Sequence, residues 1–154
     1  MREETGLLLR VDDLLHIRVT PAKRNITIGD DMAKVLVVDD SETARVQVKM
    51  DLLGAGHQVL EAENGVKGLE VLNANKDVQL VISDVNMPEM DGLSMCEEIA
   101  GNGDLNRIPI IMLTTQCGDD MKARGKKSGV VAWINKPHKA STLVSGIEKI
   151  LARK

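Results

Sequence analysis

Leu80-Val81-Ile82-Ser83-Asp84 is the stretch on which the fold turns. Three apolar residues precede a small polar one and a carboxylate, and Asn86-Met87-Pro88 follows closely. A short apolar run with branched side chains reads as a buried strand. Pro88 ends it, which places Asp84 at the strand's C-terminal tip. In an open parallel sheet, ligand sites form along that edge. Upstream, Val35-Leu36-Val37-Val38 is a second run of the same kind, and it ends in Asp39-Asp40. Downstream, Lys136-Pro137 follows a further run at 130–134. Three carboxylates and a cation delivered to one edge are hard to explain as packing.

Outward from these runs, strand and helix patterns alternate. Strands are expected at 35–38, 58–62, 80–83, 108–113 and 130–134. Ser41 is placed to cap a first helix, with Glu42 in its first turn. Val46, Met50 and Leu53 then recur at helical spacing, and Gly54-Ala55-Gly56 gives a stop signal. Asn64-Gly65 opens a second helix with Val66, Leu69, Val71 and Leu72 inward. Asp91-Gly92 opens a third, through Leu93, Met95, Cys96 and Ile99. A weak basic helix is expected at 121–127. Ser141 is read as the cap of a last helix with Leu143, Val144, Ile147, Ile150 and Leu151 inward. Strict alternation of this kind implies right-handed crossovers and a parallel sheet covered on both faces.

Bulk properties narrow the function classes. The 154 residues, 43% apolar and 28% charged, suit one soluble domain with a full core. Trp133 is the sole aromatic among Phe, Tyr and Trp, so aliphatic residues and eight Met must fill that core. Met87, Met90 and Met95 are read as filler. A net charge of −3 argues against a nucleic-acid coat. No apolar run reaches the roughly 18 residues of a membrane span. Glu3 and Glu4 do not fit a secretory leader. Cys96 and Cys117 lack CxxC spacing and are read as free thiols, so a cytoplasmic location is expected. Residues 1–32 are read as an N-terminal extension, either flexible or an accessory hairpin, ahead of a domain at 33–154.

The motifs taken together resemble the CheY-like receiver domain of two-component response regulators. The resemblance is carried by Val37-Val38-Asp39-Asp40, Ser83-Asp84-Val85-Asn86-Met87-Pro88, Leu113-Thr114-Thr115 and Lys136-Pro137, in order and each at a strand end. It implies a doubly wound, flavodoxin-like (βα)5 sandwich whose five-stranded parallel sheet has the order 2-1-3-4-5. That order comes from the family, itself a known example of the switch-point rule. The resemblance also implies that Asp84 is the phosphoacceptor, with Mg2+ held by Asp40 and Asp84, by Asp39 through water and by the carbonyl of Asn86. Lys136, the Thr114 hydroxyl and the Thr115 N–H would serve the phosphoryl oxygens. Thr114 and Trp133 would form the switch, and Lys136-Pro137 is a candidate cis peptide. Asn86 and Gln116 occupy the two positions that tune phosphoryl lifetime. Both are uncharged, so a lifetime of seconds to minutes is expected.

The residues support the same chemistry on physical grounds. Clustered carboxylates repel, and a divalent cation with oxygen ligands relieves the conflict. A carboxylate can accept a phosphoryl group as a mixed anhydride. In-line transfer needs positioning and charge neutralisation more than covalent help. Trp133 replaces the family's usual Tyr or Phe, and His138 replaces its common Phe. His138 exchanges apolar packing for a group that titrates near neutral pH, and no metal or catalytic role is expected of it; His57 and His16 also stand alone and are read as surface or packing residues. Lys122, Arg124, Lys126 and Lys127 are read as a solvated basic face.

Expected partners are a sensor histidine kinase and an output protein, such as a flagellar switch, docked on the helix 4–strand 5–helix 5 face. The chain is expected to be a monomer or weak dimer without membrane contact, and nucleic-acid binding is not expected because no output segment follows Lys154. It is not expected to be a turnover enzyme. The alternatives are a phosphate sink and a phosphorylation-independent receiver-like module. A haloacid-dehalogenase-type phosphatase needs Asp-x-Asp-x-Thr after strand one, and Asp39-Asp40-Ser41 breaks that spacing.

Overall fold

The computed structural model describes residues 32–116 and 118–152. The expected extension at 1–32 therefore lies outside the described residues except for Met32, as do Cys117 and His16. Five strands, β1 (Lys34–Val38), β2 (Gln58–Ala62), β3 (Leu80–Ser83), β4 (Ile110–Thr114) and β5 (Val130–Asn135), alternate with five helices. The helices are α1 (Glu42–Gly54), α2 (Gly65–Ala74), α3 (Gly92–Ala100), α4 (Asp119–Lys127) and α5 (Ala140–Ala152). All strand pairs are parallel and the order is β2-β1-β3-β4-β5, as the resemblance implied.

Alternation along the strands builds two apolar layers, because successive side chains leave a strand on opposite faces. Leu36, Val38, Val81, Ile110 and Met112 face one way and join Leu72, Leu93, Met95, Cys96 and Ile99 of α2 and α3. Val35, Val37, Leu80, Ile82, Ile111 and Leu113 face the other way and join Val48, Leu52, Leu143 and Ile147 of α1 and α5. The central strands are buried on both sides, which is why they read as unbroken apolar runs. Met95 is fully buried, and Met87 and Met90 are partly buried against the first layer. Burial pushes the Cys96 thiol up to about 12, so it is an inert core residue.

Caps are supplied where expected at three helices. Ser41, Asn64 and Asp91 each accept a backbone N–H three residues on, from Ala44, Lys67 and Ser94. The α1 stop is also as read, since Gly56 takes φ 93 just past the cap.

Several expectations need correction. The stripe Val46, Met50 and Leu53 is the exposed side of α1, and Val48 and Leu52 are its buried side. Periodicity is equally good for both, and only the direction of the sheet decides. β4 starts at Ile110 rather than 108, because Pro109 lacks the N–H a ladder needs, although its carbonyl accepts from Val81. α4 begins two residues earlier than read, at Asp119, with Gly118 as cap. Ser141 lies inside α5. The first turn is closed by the Lys139 carbonyl, which accepts from the N–H groups of Thr142 and Leu143. His57 is buried, and its Nδ1 accepts the Ala33 N–H at 3.1 Å, so it is a packing residue.

Candidate functional site

Asp39, Asp40 and Asp84 meet at the C-terminal edge of the sheet, where β1 and β3 run side by side. Each offers a carboxylate oxygen within 4.8 Å of the others'. Register makes this happen. Val38 pairs with Ser83, so the residues just past the two strand ends are neighbours. The Asp84 N–H donates to the Val38 carbonyl at 3.0 Å, and the Asp39 N–H to the Ala62 carbonyl at 3.1 Å. Asp39 is buried, Asp84 half-buried and Asp40 exposed.

Lys136 closes the cluster from β5, two strands away from Asp84. Its Nζ donates to Asp39 Oδ2 at 2.7 Å and to Asp84 Oδ2 at 3.0 Å. Burial by itself would pull the Lys136 ammonium down, but these hydrogen bonds and the two negative charges outweigh it and hold the group above its ordinary value. It is a fixed cation at neutral pH. The remaining oxygens are also engaged: Asp39 Oδ1 accepts the Ser41 N–H at 2.9 Å, and Asp84 Oδ1 accepts the Val85 N–H at 2.6 Å.

Most of the other expected site residues lie at or just past strand ends of the same edge, and Trp133 lies within β5. Thr114 ends β4 fully buried, and its hydroxyl accepts the Gln116 N–H at 3.1 Å. Thr115 is exposed and lines a cleft of about 510 Å3 with Ser41, Gln47, Lys136 and His138. Asn86 is exposed two residues past Asp84, and Gln116 is half-buried. The Lys136–Pro137 peptide is cis. Trp133 is half-buried against the first layer, and a Cβ on Gly125 of α4 would lie 3.2 Å from its Cζ2. The basic face of α4 is exposed, as read, and Arg124 makes a two-pronged contact with Glu97 of α3 at 2.6 and 2.9 Å.

Four contributors to the site were not read as such in the sequence. Gly92 lets α3 begin against the Asp84 loop, for a Cβ there would collide with the Asp84 carbonyl oxygen. Its N–H donates to the Val85 carbonyl at 2.8 Å. Gly65 plays the same part for Met90, with a notional Cβ 2.7 Å from the Met90 carbonyl oxygen. The Asp91-Gly92 signal was visible, but it was read only as a helix start. Arg45 donates from its guanidinium to the Asp39 carbonyl at 2.7 Å and to Glu61 at 3.1 Å. Asp51 on α1 meets His138, whose Nε2 lies 2.7 Å from Asp51 Oδ2. Nothing in local spacing joins residues 45 and 39, or 51 and 138.

The donor set suits a hard divalent cation, with carboxylate oxygens from two strands and an exposed open side at Asp40. Among the described residues no helix is long and apolar enough to cross a membrane.

Comparison with known proteins agrees with this geometry. Residues 35–148 match the family model described as the response regulator receiver domain. The chain is 42% identical over 119 residues to chemotaxis protein CheY1 of Helicobacter pylori, covering 77% of this chain and 96% of that one. It is 34% identical over 121 residues to protein PilH of Pseudomonas aeruginosa, covering 79% and 99%. Among solved structures, chemotaxis response regulator CheY4 of Vibrio cholerae superposes with a TM-score of 0.72 at 35% identity, covering 77% of this chain and 98% of that one. With a family match across most of its length and relatives of this identity, the chain belongs to the response regulator receiver domain family.

Proposed function

We propose that this protein is a phosphorylatable response regulator of the chemotaxis type, which accepts a phosphoryl group on Asp84 and thereby changes its affinity for a protein partner. The observation that carries the reading is the Lys136 ammonium spanning Asp39 and Asp84 inside a cluster of three carboxylates. Buried like charges are tolerated where a function needs them, and this arrangement leaves one carboxylate beside a cation and a potential metal site.

Asp39, Asp40 and Asp84 would hold Mg2+, with the Asn86 carbonyl as a further oxygen. Bound there, the ion would neutralise charge on the transferring group, as hard cations do in phosphoryl chemistry. The Asp84 carboxylate attacks phosphorus, so a P–O bond forms as the P–N bond to the donor kinase's histidine breaks. The proton balance is completed at the departing imidazole. Lys136 follows the incoming charge, exchanging part of its hold on Asp84 for a phosphoryl oxygen. The Thr115 N–H and, after rotation away from Gln116, the Thr114 hydroxyl supply further donors. Hydrolysis restores the carboxylate when water attacks phosphorus and inorganic phosphate leaves. The chain is thus consumed and regenerated as a signal carrier, and it is not a turnover enzyme.

Readout would be a population shift between two packings. Thr114 sits fully buried next to the site, and Trp133 is half-buried against α4 on the neighbouring strand; both would move in the shift. The affected face is α4–β5–α5, available to an output protein such as a flagellar switch. The chemotaxis assignment is supported by the relatives named as chemotaxis proteins. Asn86 and Gln116 carry no charge to repel water, which supports a phosphoryl lifetime of seconds to minutes.

The test is Trp133 fluorescence through addition of Mg2+ and then a small phosphodonor, in the native chain and in Asp84→Asn. A donor-dependent change in the native chain alone is expected. Equal responses would remove Asp84 from its role, and a phosphoryl group stable for hours would overturn the lifetime.

A further inference from the structure

The loop that carries Lys136 is only four residues long, from the end of β5 to the start of α5, and it is held at three points. Its first N–H, on Lys136, donates to the Thr114 carbonyl at 3.1 Å. Its last carbonyl, on Lys139, closes the first turn of α5. Between them His138 Nε2 meets Asp51 Oδ2 at 2.7 Å, across the gap to the third turn of α1. The side chains are 7% and 11% exposed, so this polar pair is removed from water almost completely. A buried polar contact is high-stakes: it is strong when both partners are present, and either partner is a liability when left alone.

The first two anchors are backbone bonds that other side chains could keep. The third depends on this histidine and this aspartate. An apolar side chain at 138 would fill space but would fix no direction, whereas a hydrogen bond sets both distance and angle. Direction matters here because the Lys136 ammonium has to reach two carboxylates, at 2.7 and 3.0 Å, from a flexible four-carbon stem. The distance available to the stem is set by where the loop backbone sits relative to α1. His138 and Lys136 also border the same cleft beside Thr115, so a loop that slips from α1 moves Lys136 away from the place where a phosphoryl oxygen would sit.

We infer that His138 and Asp51 act together as positioning residues for Lys136, staking the β5–α5 loop to α1 so that the ammonium is preset for phosphoryl transfer. This rests on the proposed function, and it concerns a pair that touches neither the carboxylate cluster nor the phosphoryl group.

The test measures phosphoryl uptake from phosphoramidate, by mass in quenched samples of the full chain, over a range of donor and Mg2+ concentrations. His138→Ala and Asp51→Ala are expected to lower the maximal rate about tenfold, since small displacements of a positioned group are costly in rate. The half-saturating Mg2+ concentration should stay within about twofold of the native value, because an interaction made only in the transition state lowers rate and not ground-state binding. The double variant should be no slower than either single one, as expected of a pair that acts as a unit. His138→Gln, which keeps a donor for Asp51, should recover much of the loss. Should an alanine variant fail to fold, His138→Leu, Asp51→Leu and their combination remove the hydrogen bond in side chains of similar size and give the same comparison.

Folded variants with the native maximal rate would overturn the inference. So would losses that add in the double variant, or a loss confined to Mg2+ affinity. If the native chain itself takes up no phosphoryl group, the proposed function fails; if it does and the variants match it, only the positioning role fails.

Discussion

The two ends of the β-sheet carry similar side chains and clefts of similar size, yet among the described residues they hold their charges differently. At the C-terminal edge, a cleft of about 510 Å3 adjoins Lys136, which is held between Asp39 and Asp84. At the N-terminal edge, a cleft of about 500 Å3 is lined by Lys76, Asp77, Asp104 and Arg107. The charges there pair as Lys34–Asp77 and Lys76–Asp104, with the two carboxylates 67% and 72% exposed. Those pairs point outward into water, where solvent screens them and they contribute little. At the opposite edge, Asp39 is only 7% exposed and shares its cation with a second acid. Burial, not charge count, separates the Asp39–Asp84–Lys136 cluster from a solvated rim. Strand direction explains the difference: the residues after each strand of a parallel sheet converge at the topological switch point between β1 and β3.

Glycine gives the largest contrast between the two ends. Gly92→Ala would force a methyl group onto the Asp84 carbonyl, and should lower stability by about 3 kcal/mol through overpacking and a displaced loop. Gly103→Ala, in the loop before β4, meets nothing within 4 Å and should stay within about 0.5 kcal/mol of native. Urea denaturation checks both. Equal effects would mean that the Asp84 loop is as loose as its counterpart.

Lysine removal comes next. Lys136→Met leaves Asp39 and Asp84 facing each other without their cation, and should cost about 2 kcal/mol in metal-free buffer at neutral pH. Lys76→Met should leave the denaturation midpoint unmoved within measurement error. A loss as large at Lys76 would refute the role given to burial.

Metal affinity distinguishes the acids. Asp40→Asn should weaken Mg2+ binding about tenfold in calorimetry, as loss of one charged oxygen ligand implies. Asp77→Asn should have no effect. Binding that survives the change at Asp40 but fails with Asp77 would relocate the metal site.

The smallest effect is in pH dependence. Lys136 is held above its ordinary value of 10.5 in the folded protein. Its stabilisation is therefore fully present below that value and is lost as pH rises through the higher folded value. The stability gap between native protein and Lys136→Met should be level from neutral pH to about 10 and close beyond it. A gap that instead closed on acidification alone would assign the effect to the carboxylates.

Much of this site is legible in the sequence because its principal residues end apolar runs. Asp39, Asp84, Thr114 and Lys136 all follow apolar runs, and a parallel sheet brings such ends together without further information. The exposed stripe Val46, Met50 and Leu53 shows the limit of the method. A helix with apolar residues on two sides does not declare which one the sheet will cover. The reading of Ser141 as a cap failed for a related reason: a capping residue type is common inside helices, and the Lys139 carbonyl does the work here.

Order of elements, two-sided burial of the sheet and identity of the acidic and basic groups were thus determined by the sequence itself, since they follow from local periodicity and from what ends each period. The contact of His138 with Asp51, the hold of Arg45 on the Asp39 carbonyl and the close approach required at Gly92 were decided only in three dimensions. Each depends on the distance between elements that are remote in the chain or on the path of a loop. No pattern of neighbouring residues encodes such a distance; it is set by how helices and strands pack as solid bodies.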